Sequence, residues 1–312
     1  MFLSASGPMR LITQARRAAR RWFPDGHRRW TNLRAAALRA RAAAVLSNPQ
    51  PPDCSDAERA YVGLQERYEG VAEYGYDSYS TWKRGLERAR TILEMIESLR
   101  TPGARILDAG CGDGMTGAIF AHYGHHVTLA DTEDWRDRRA TSLPFLACDL
   151  CDSIPCRSDA YDFAFSFNGF EHFLDPRRAL TNLILACRAG GSIYLDFAPV
   201  YTGPWGLHAY RSLRMPYPQF LFSDGFVRDR LRETGIRDLG RSREFLQPLN
   251  RLGRTAFMDL WADCGCQVVQ CAVDYVDVGY LSVITEYPKS FSGRGLTVDD
   301  VLIQGFRVLL RK

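Results

Sequence analysis

Three groups of residues have the types and the spacing to do chemistry. The first is Ile106-Leu107-Asp108-Ala109-Gly110-Cys111-Gly112-Asp113-Gly114, an apolar run that breaks into alternating glycines. Glycine lets the chain turn tightly and lets a ligand approach the backbone closely. The second is a pair of acids ending apolar runs: Asp131 after His126–Ala130, and Asp149 after Phe145–Cys148. An acid about twenty residues beyond such a glycine turn is placed to accept both hydroxyls of a ribose. Asp149 is placed to accept a hydrogen bond from an adenine amino group. The third group is Glu171 and His172, just past another apolar run, with His208 inside an aromatic stretch. A histidine at such a rim can serve as a general base, and Glu171 and His172 can equally cap and pack a helix, His208 sit in a surface loop.

The glycine spacing discriminates between nucleotide-like ligands. A dinucleotide fingerprint needs G-x-G-x-x-G, its third glycine packing a helix whose N-terminus faces a pyrophosphate. Here the glycines stand at 110, 112 and 114, with Met115 where that third glycine would fall. A ligand without a pyrophosphate has no such requirement. In these residues the sequence resembles the class I S-adenosylmethionine (AdoMet)-dependent methyltransferases. ILDAGCGDG is similar to their first motif, Asp131 to their ribose acid, and Asp149-Leu150 to their adenine motif. Asn168-Gly169-Phe170-Glu171-His172-Phe173, Asp175-Pro176 and Ala189-Gly190-Gly191 resemble the stretch from fourth to fifth strand, with Ala189 where relatives often carry proline. Asp299-Asp300-Val301 and Arg311-Lys312 resemble the last strand of small-molecule members. The likeness is firm over residues 80–200 and loose over 250–312.

The resemblance implies AdoMet as cofactor, held by Asp108, Gly110, Cys111, Gly112, Gly114, Asp131, Asp149, Leu150 and Asn168. It also implies methyl transfer to a small-molecule acceptor, at oxygen before nitrogen or carbon. Displacement from a sulfonium is in-line, so positioning alone can supply about 7–11 kcal/mol. A base is needed only where the acceptor keeps its proton at neutral pH, and His172 and His208 are the candidates. A protein or RNA methyltransferase on the same fold is one alternative. The acidic balance of the globular part and the lack of an Asn/Asp-Pro-Pro-Tyr motif after the fourth strand weigh against it. A non-catalytic partner subunit is the other, and the intact glycines and acids weigh against that.

The elements that must hold these residues alternate. Trp82, Leu86, Ala89, Leu93 and Ile96 mark a helix. Strands are expected at Arg105–Ala109, His126–Ala130, Phe145–Cys148, Tyr161–Phe167 and, after Gly190-Gly191, Ser192–Ala198. Helices Met115–Tyr123 and Pro176–Cys187 fall between them. With a helix at Leu252–Ala262 and strands at Gln267–Tyr275 and Val301–Leu310, the pattern is α/β: a doubly wound, seven-stranded, mostly parallel, Rossmann-like sheet. Beyond Pro199 the alternation lapses for about fifty residues rich in aromatics, among them Tyr201, Trp205, Tyr210 and Phe220. So long a connection points to a substrate-lid insertion over residues 200–250, the alternative being a small satellite core. His125 and His126 begin a strand at the far edge and are expected to be structural.

Composition fits a protein with a full core: 46% of residues are hydrophobic and 12% aromatic. No stretch is apolar enough to span a bilayer. Nine scattered cysteines without paired C-x-x-C spacing suggest reduced thiols and no metal site. Charge divides the chain. The first 45 residues hold ten arginines and one acid, Asp25, a balance of +9 against +4 overall, which leaves −5 on the remainder. That remainder offers no nucleic-acid footprint. Residues 1–56 therefore form a basic helical N-terminal arm and linker, and residues 57–312 the methyltransferase domain. Within the arm, residues 9–23 segregate Leu11, Ile12, Trp22 and Phe23 from five arginines, and Pro24-Asp25-Gly26 should stop that helix before a second one at Thr31–Leu46. Such a helix suits an anionic membrane surface, packing on the domain, or organellar targeting. The expected location is cytoplasmic, with peripheral attachment at the inner membrane face if the arm binds lipid.

Overall fold

The computed structural model describes residues 24–68, 75–238 and 241–312; the expected helix at 9–23 lies outside them. Seven strands form one sheet. In chain order they are β1 (Arg105–Ala109), β2 (His126–Asp131), β3 (Phe145–Ala147), β4 (Tyr161–Phe167), β5 (Cys187–Phe197) and, after a separate hairpin of β6 (Ile236–Asp238) and β7 (Arg241–Arg243), β8 (Gln267–Tyr275) and β9 (Ile303–Arg311). Across the sheet they run β3-β2-β1-β4-β5-β9-β8. Strands β1 to β5 pair in parallel, and β9 is antiparallel to both β5 and β8. Strand order reverses between β1 and β4, so connections leave opposite faces there and open a crevice at the strands' carboxyl ends. The doubly wound sheet is as the strand–helix alternation predicts.

The longer helices are α1 (Pro24–Leu46), α2 (Ala57–Arg67), α3 (Ser78–Met95), α4 (Met115–His122), α5 (Pro176–Ala186), α6 (Asp224–Thr234), α7 (Arg254–Asp263) and α8 (Leu281–Glu286), of which α3 and α4 cover one face of the sheet and α5 and α7 the other. Among the described residues none is long and apolar enough to cross a membrane. Local signals set their ends. The Asp77 carboxylate accepts from the Tyr79 and Ser80 amides, Asp175 accepts from Arg178, and Pro176 opens α5.

Three expectations need correction. Helix α3 buries Thr81, Gly85, Ala89 and Ile92, while Trp82 stays exposed. A Cβ on Gly85 would stand 2.7 Å from Met115 Cγ, so close approach to α4 at small residues sets the helix phase, with Leu86 and Leu93 partly buried beside them. Gly190-Gly191 does not precede β5 but lies within it, where the register against β4 shifts and the Gly190 amide donates to the Lys312 carbonyl at 2.8 Å. The second helix of the arm starts at Pro24, not at Thr31, so that Pro24-Asp25-Gly26 form the opening of α1. Weak helix formers cost only about 1 kcal/mol each apart from proline, and the Ala/Arg-rich run beyond them carries the helix.

The buried side chains fall into three groups. Leu107, Phe197, Phe257, Trp261 and Phe306 fill one face of the sheet under α5 and α7, and Ile106, Phe120, Phe163 and Phe165 the other under α3 and α4. The third lies beyond the sheet and joins Leu46, Leu64, Tyr217, Phe220, Ile284, Phe291 and Leu302. The 200–250 segment thus shares a core with α1, α2 and the β8–β9 connection, which sequence patterning did not indicate.

Candidate active site

The glycine turn follows β1 at the crevice. Gly110, Gly112 and Gly114 have φ of +70°, +53° and +69°, the left-handed region. The turn is fastened to β2. Gly110 and Cys111 amides donate to the Ala130 carbonyl at 2.8 and 3.0 Å, and the Gly112 amide donates to the Asp131 carboxylate at 2.9 Å. A Cβ on Gly114 would meet Leu129 Cδ1 at 2.9 Å and Ala140 Cβ at 3.0 Å, so this glycine serves the seating of α4.

The residues singled out in the sequence separate into a front and a back. Gly110, Gly112, Asp131 and Asn168 stand together at the ends of β1, β2 and β4; Asn168 is exposed with φ +48° and its amide donates to the Asp196 carbonyl at 2.8 Å. Asp131 is partly buried, and burial raises its pKa against the amides that hold its charged form. Asp108, Cys111, Gly114 and Leu150 are buried behind. The Asp108 carboxylate accepts from the Gly117 amide at 3.2 Å inside the first turn of α4, and burial pushes its pKa well up. Burial likewise raises the Cys111 thiol. Leu150 belongs to the core, so it can meet a ligand only through its backbone. Asp149, exposed past β3, accepts from the Cys151 amide at 2.8 Å. His125 is buried at the opposite end of the sheet, its Nε2 hydrogen-bonded to the Leu99 carbonyl at 3.0 Å.

Four neighbours of this turn were missed. Arg84 pairs with Asp113 at 3.0 Å. The Arg88 guanidinium lies 5.0 Å from the Phe167 ring centre and its charge acts on Asp108, Glu171 and Asp196. Phe173 and Trp135 lie 3.4 and 3.6 Å from where Cβ atoms on Gly110 and Gly112 would be. The two arginines left a signal, an i, i+4 pair on the helix before the glycine strand. The aromatics left none.

At the end of β4, His172 and His208 meet: their ring centres are 4.9 Å apart and nearly perpendicular. The 200–250 segment brings them together. His172 Nδ1 bonds the Pro248 carbonyl at 2.9 Å, while the Asn250 amide and side chain donate to the Glu171 and Phe170 carbonyls at 3.1 and 2.8 Å. Glu171 completes the cluster, its Oε1 4.0 Å from His172 Nε2. Burial pushes the Glu171 carboxyl up to about 8 and His208, beside His172, down to about 3.

A model of the methyltransferase domain family matches residues 76–270, more than half of the chain. The chain belongs to the AdoMet-dependent methyltransferases. Its cofactor is AdoMet, and the turn suits it: three left-handed glycines offer bare backbone, and Asp131 offers a carboxylate to a diol. Curated relatives of this methyltransferase are distant. The O-methyltransferase rstn1 of Aspergillus nomiae is 30% identical over 115 residues, 33% of this chain and 50% of that one. The O-methyltransferase cnsE of Penicillium expansum is 24% identical over 276 residues, 82% and 97%. The tRNA 5-carboxymethoxyuridine methyltransferase of Escherichia coli K12 is 28% identical over 149 residues, 43% and 57%. The chain spans about half the length of the first and third.

Proposed function

We propose that this methyltransferase acts on an oxygen of a small-molecule acceptor bound between the glycine turn and the 200–250 segment. The observation that carries this is the closure of Pro248–Asn250 and His208 over Glu171 and His172, which makes a sheltered acid–base cluster at the end of β4. AdoMet supplies an electrophilic methyl on a sulfonium. Asp131 holds the ribose, the Gly110–Gly114 backbone lies along the amino-acid end with Asp108 bracing the turn from behind, and Asp149 and Leu150 border the adenine. Arg88, whose charge acts on both Asp108 and Glu171, links the two halves of the site. An alcohol acceptor must lose its proton, and Glu171, His172 and His208 form the centre that removes it; a phenolate would need only the positioning.

The test is direct. The protein is incubated with isotopically labelled AdoMet and fractionated extract, and products one methyl heavier are sought by mass spectrometry. Label in small molecules, lost in His172→Ala with AdoMet binding intact, is the expected result. Label confined to RNA or protein would overturn the small-molecule assignment.

A further inference from the structure

Glu171, His172 and His208 place a ligand-capable atom each within 4.8 Å of one another. What sets this cluster apart from ordinary packing is where its protons lie. His172 Nδ1 is 2.9 Å from the Pro248 carbonyl, and His208 Nε2 is 2.9 Å from the Pro199 carbonyl. A carbonyl only accepts, so those two nitrogens carry the ring protons, and the lone pairs fall on His172 Nε2 and His208 Nδ1. A backbone carbonyl on the far nitrogen is how metal-ligating imidazoles are oriented. Glu171 adds a side chain only 4% exposed whose Oε2 has no hydrogen-bond partner among the described residues, while its Oε1 is 4.0 Å from His172 Nε2, beyond hydrogen-bond reach. Buried carboxyl oxygens are rarely left so. Three ligand-capable atoms thus face one another.

We propose that Glu171, His172 and His208 bind one divalent transition-metal ion of the Zn2+ class, through a Glu171 oxygen, His172 Nε2 and His208 Nδ1. Two imidazoles and a carboxylate suit Zn2+ and its neighbours, whereas Mg2+ and Ca2+ take oxygen ligands. Three protein ligands leave one position open, the arrangement of catalytic rather than structural zinc. Bonds of about 2.0–2.1 Å in a tetrahedral site set ligand atoms roughly 3.4 Å apart, so the side chains draw inward by a fraction of their present spacing. The inference rests on the acceptor reading above and deepens it: an ion at this point would make a bound hydroxyl acidic, as it does bound water, so that its proton passes to solvent and not to the two histidines, whose lone pairs the ion takes.

The competing ligands are the cysteines, nine of them free. Chelator-stripped protein is titrated with Zn2+ by calorimetry, without AdoMet or acceptor. One equivalent is expected to bind, and Glu171→Gln and His172→Ala should each weaken it roughly 100-fold or more, with the melting of the stripped protein unchanged. Glu171→Gln keeps the side chain's size and answers for any misfolding of His172→Ala. Substitution with Co2+ should give the spectrum of nitrogen and oxygen ligation. Failure to bind a stoichiometric ion, binding unaltered in both variants, or a thiolate-to-cobalt charge-transfer band would each overturn the proposal. Should uptake fail while His172→Ala still abolishes methylation, the metal is lost and the acceptor site stands. Uptake with full turnover in His172→Ala would leave the metal and remove the acceptor site.

Discussion

Asp131 does two things at once. Its carboxylate accepts the Gly112 amide at 2.9 Å and the Thr132 amide at 2.8 Å, so it shapes the glycine turn as well as serving the proposed ribose site. Hydrogen bonds to a charged group are worth roughly 1.5–3 kcal/mol each. Asp131→Ala is therefore expected to weaken AdoMet binding at least tenfold, and to do so partly through the turn. Calorimetry on the folded variant checks this; unchanged affinity would remove Asp131 from the cofactor site. The acids Asp108 and Asp131 look alike in sequence, each ending a strand, yet differ in place. Asp108 is turned into the first turn of α4 by Gly117, so its role is to fix the turn from behind.

At the scale of elements, one carboxylate ties three strands at the end away from the site. Asp162 of β4 accepts the Arg105 amide at 2.8 Å and the Arg105 side chain at 3.1–3.2 Å on β1, and the Arg188 side chain at 2.6 Å on β5. These partners hold its pKa below the ordinary carboxylate range, hydrogen bonding from Arg105 first among the causes. A depressed folded-state pKa stabilises the fold fully above the unfolded value near 3.9, and that stabilisation drains away as pH falls below it. Asp162→Asn should cost about 1 kcal/mol at pH 7, since both arginines stand half in water, and the deficit should shrink in urea melts run below about pH 4. A deficit independent of pH would assign the loss to packing.

The sheet was legible because strand–turn–helix signals are local: the 106–114 run, the Asp175-Pro176 start and the strand-end acids each lie within a few residues of what they specify. Register shifts are not local. Gly190-Gly191 becomes a bulge because the chain's last residue pairs there, 122 positions on by count of the sequence. The same limit hid the site's walls. Nothing near Phe173 or Trp135 announces that it will lie beside the glycine turn, and nothing near His208 or Pro248 announces His172. The two histidines were recognisable as chemical types, and only the folding of residues 200–250 makes them neighbours.

Across the whole molecule, the third core gathers residues 38–68 and 276–302 around the 200–250 segment. Leu38, Ala42, Val45 and Leu46 of α1 face it at helical spacing, Arg39 pairs with Asp299 at 3.6 Å, the Asn48 carbonyl accepts the Gly293 amide at 2.7 Å, and the Asp53 amide donates to the Lys289 carbonyl at 3.0 Å. Tyr217, fully buried, donates to the Val301 carbonyl at 2.9 Å. The covering of the Glu171–His172–His208 cluster is thus supported from behind by α1, whatever residues 9–23 do. Leu46 is 3% exposed, and truncating a buried leucine to alanine costs about 2–5 kcal/mol where neighbours cannot collapse. Leu46→Ala is expected to lower the urea midpoint accordingly. Its effect on function should be one-sided, because this core does not touch the glycine turn: AdoMet affinity holds, while turnover falls as the covering loosens. A midpoint within error of the parent would mean that α1 contributes nothing to the fold and that the 200–250 segment is held by its other neighbours alone.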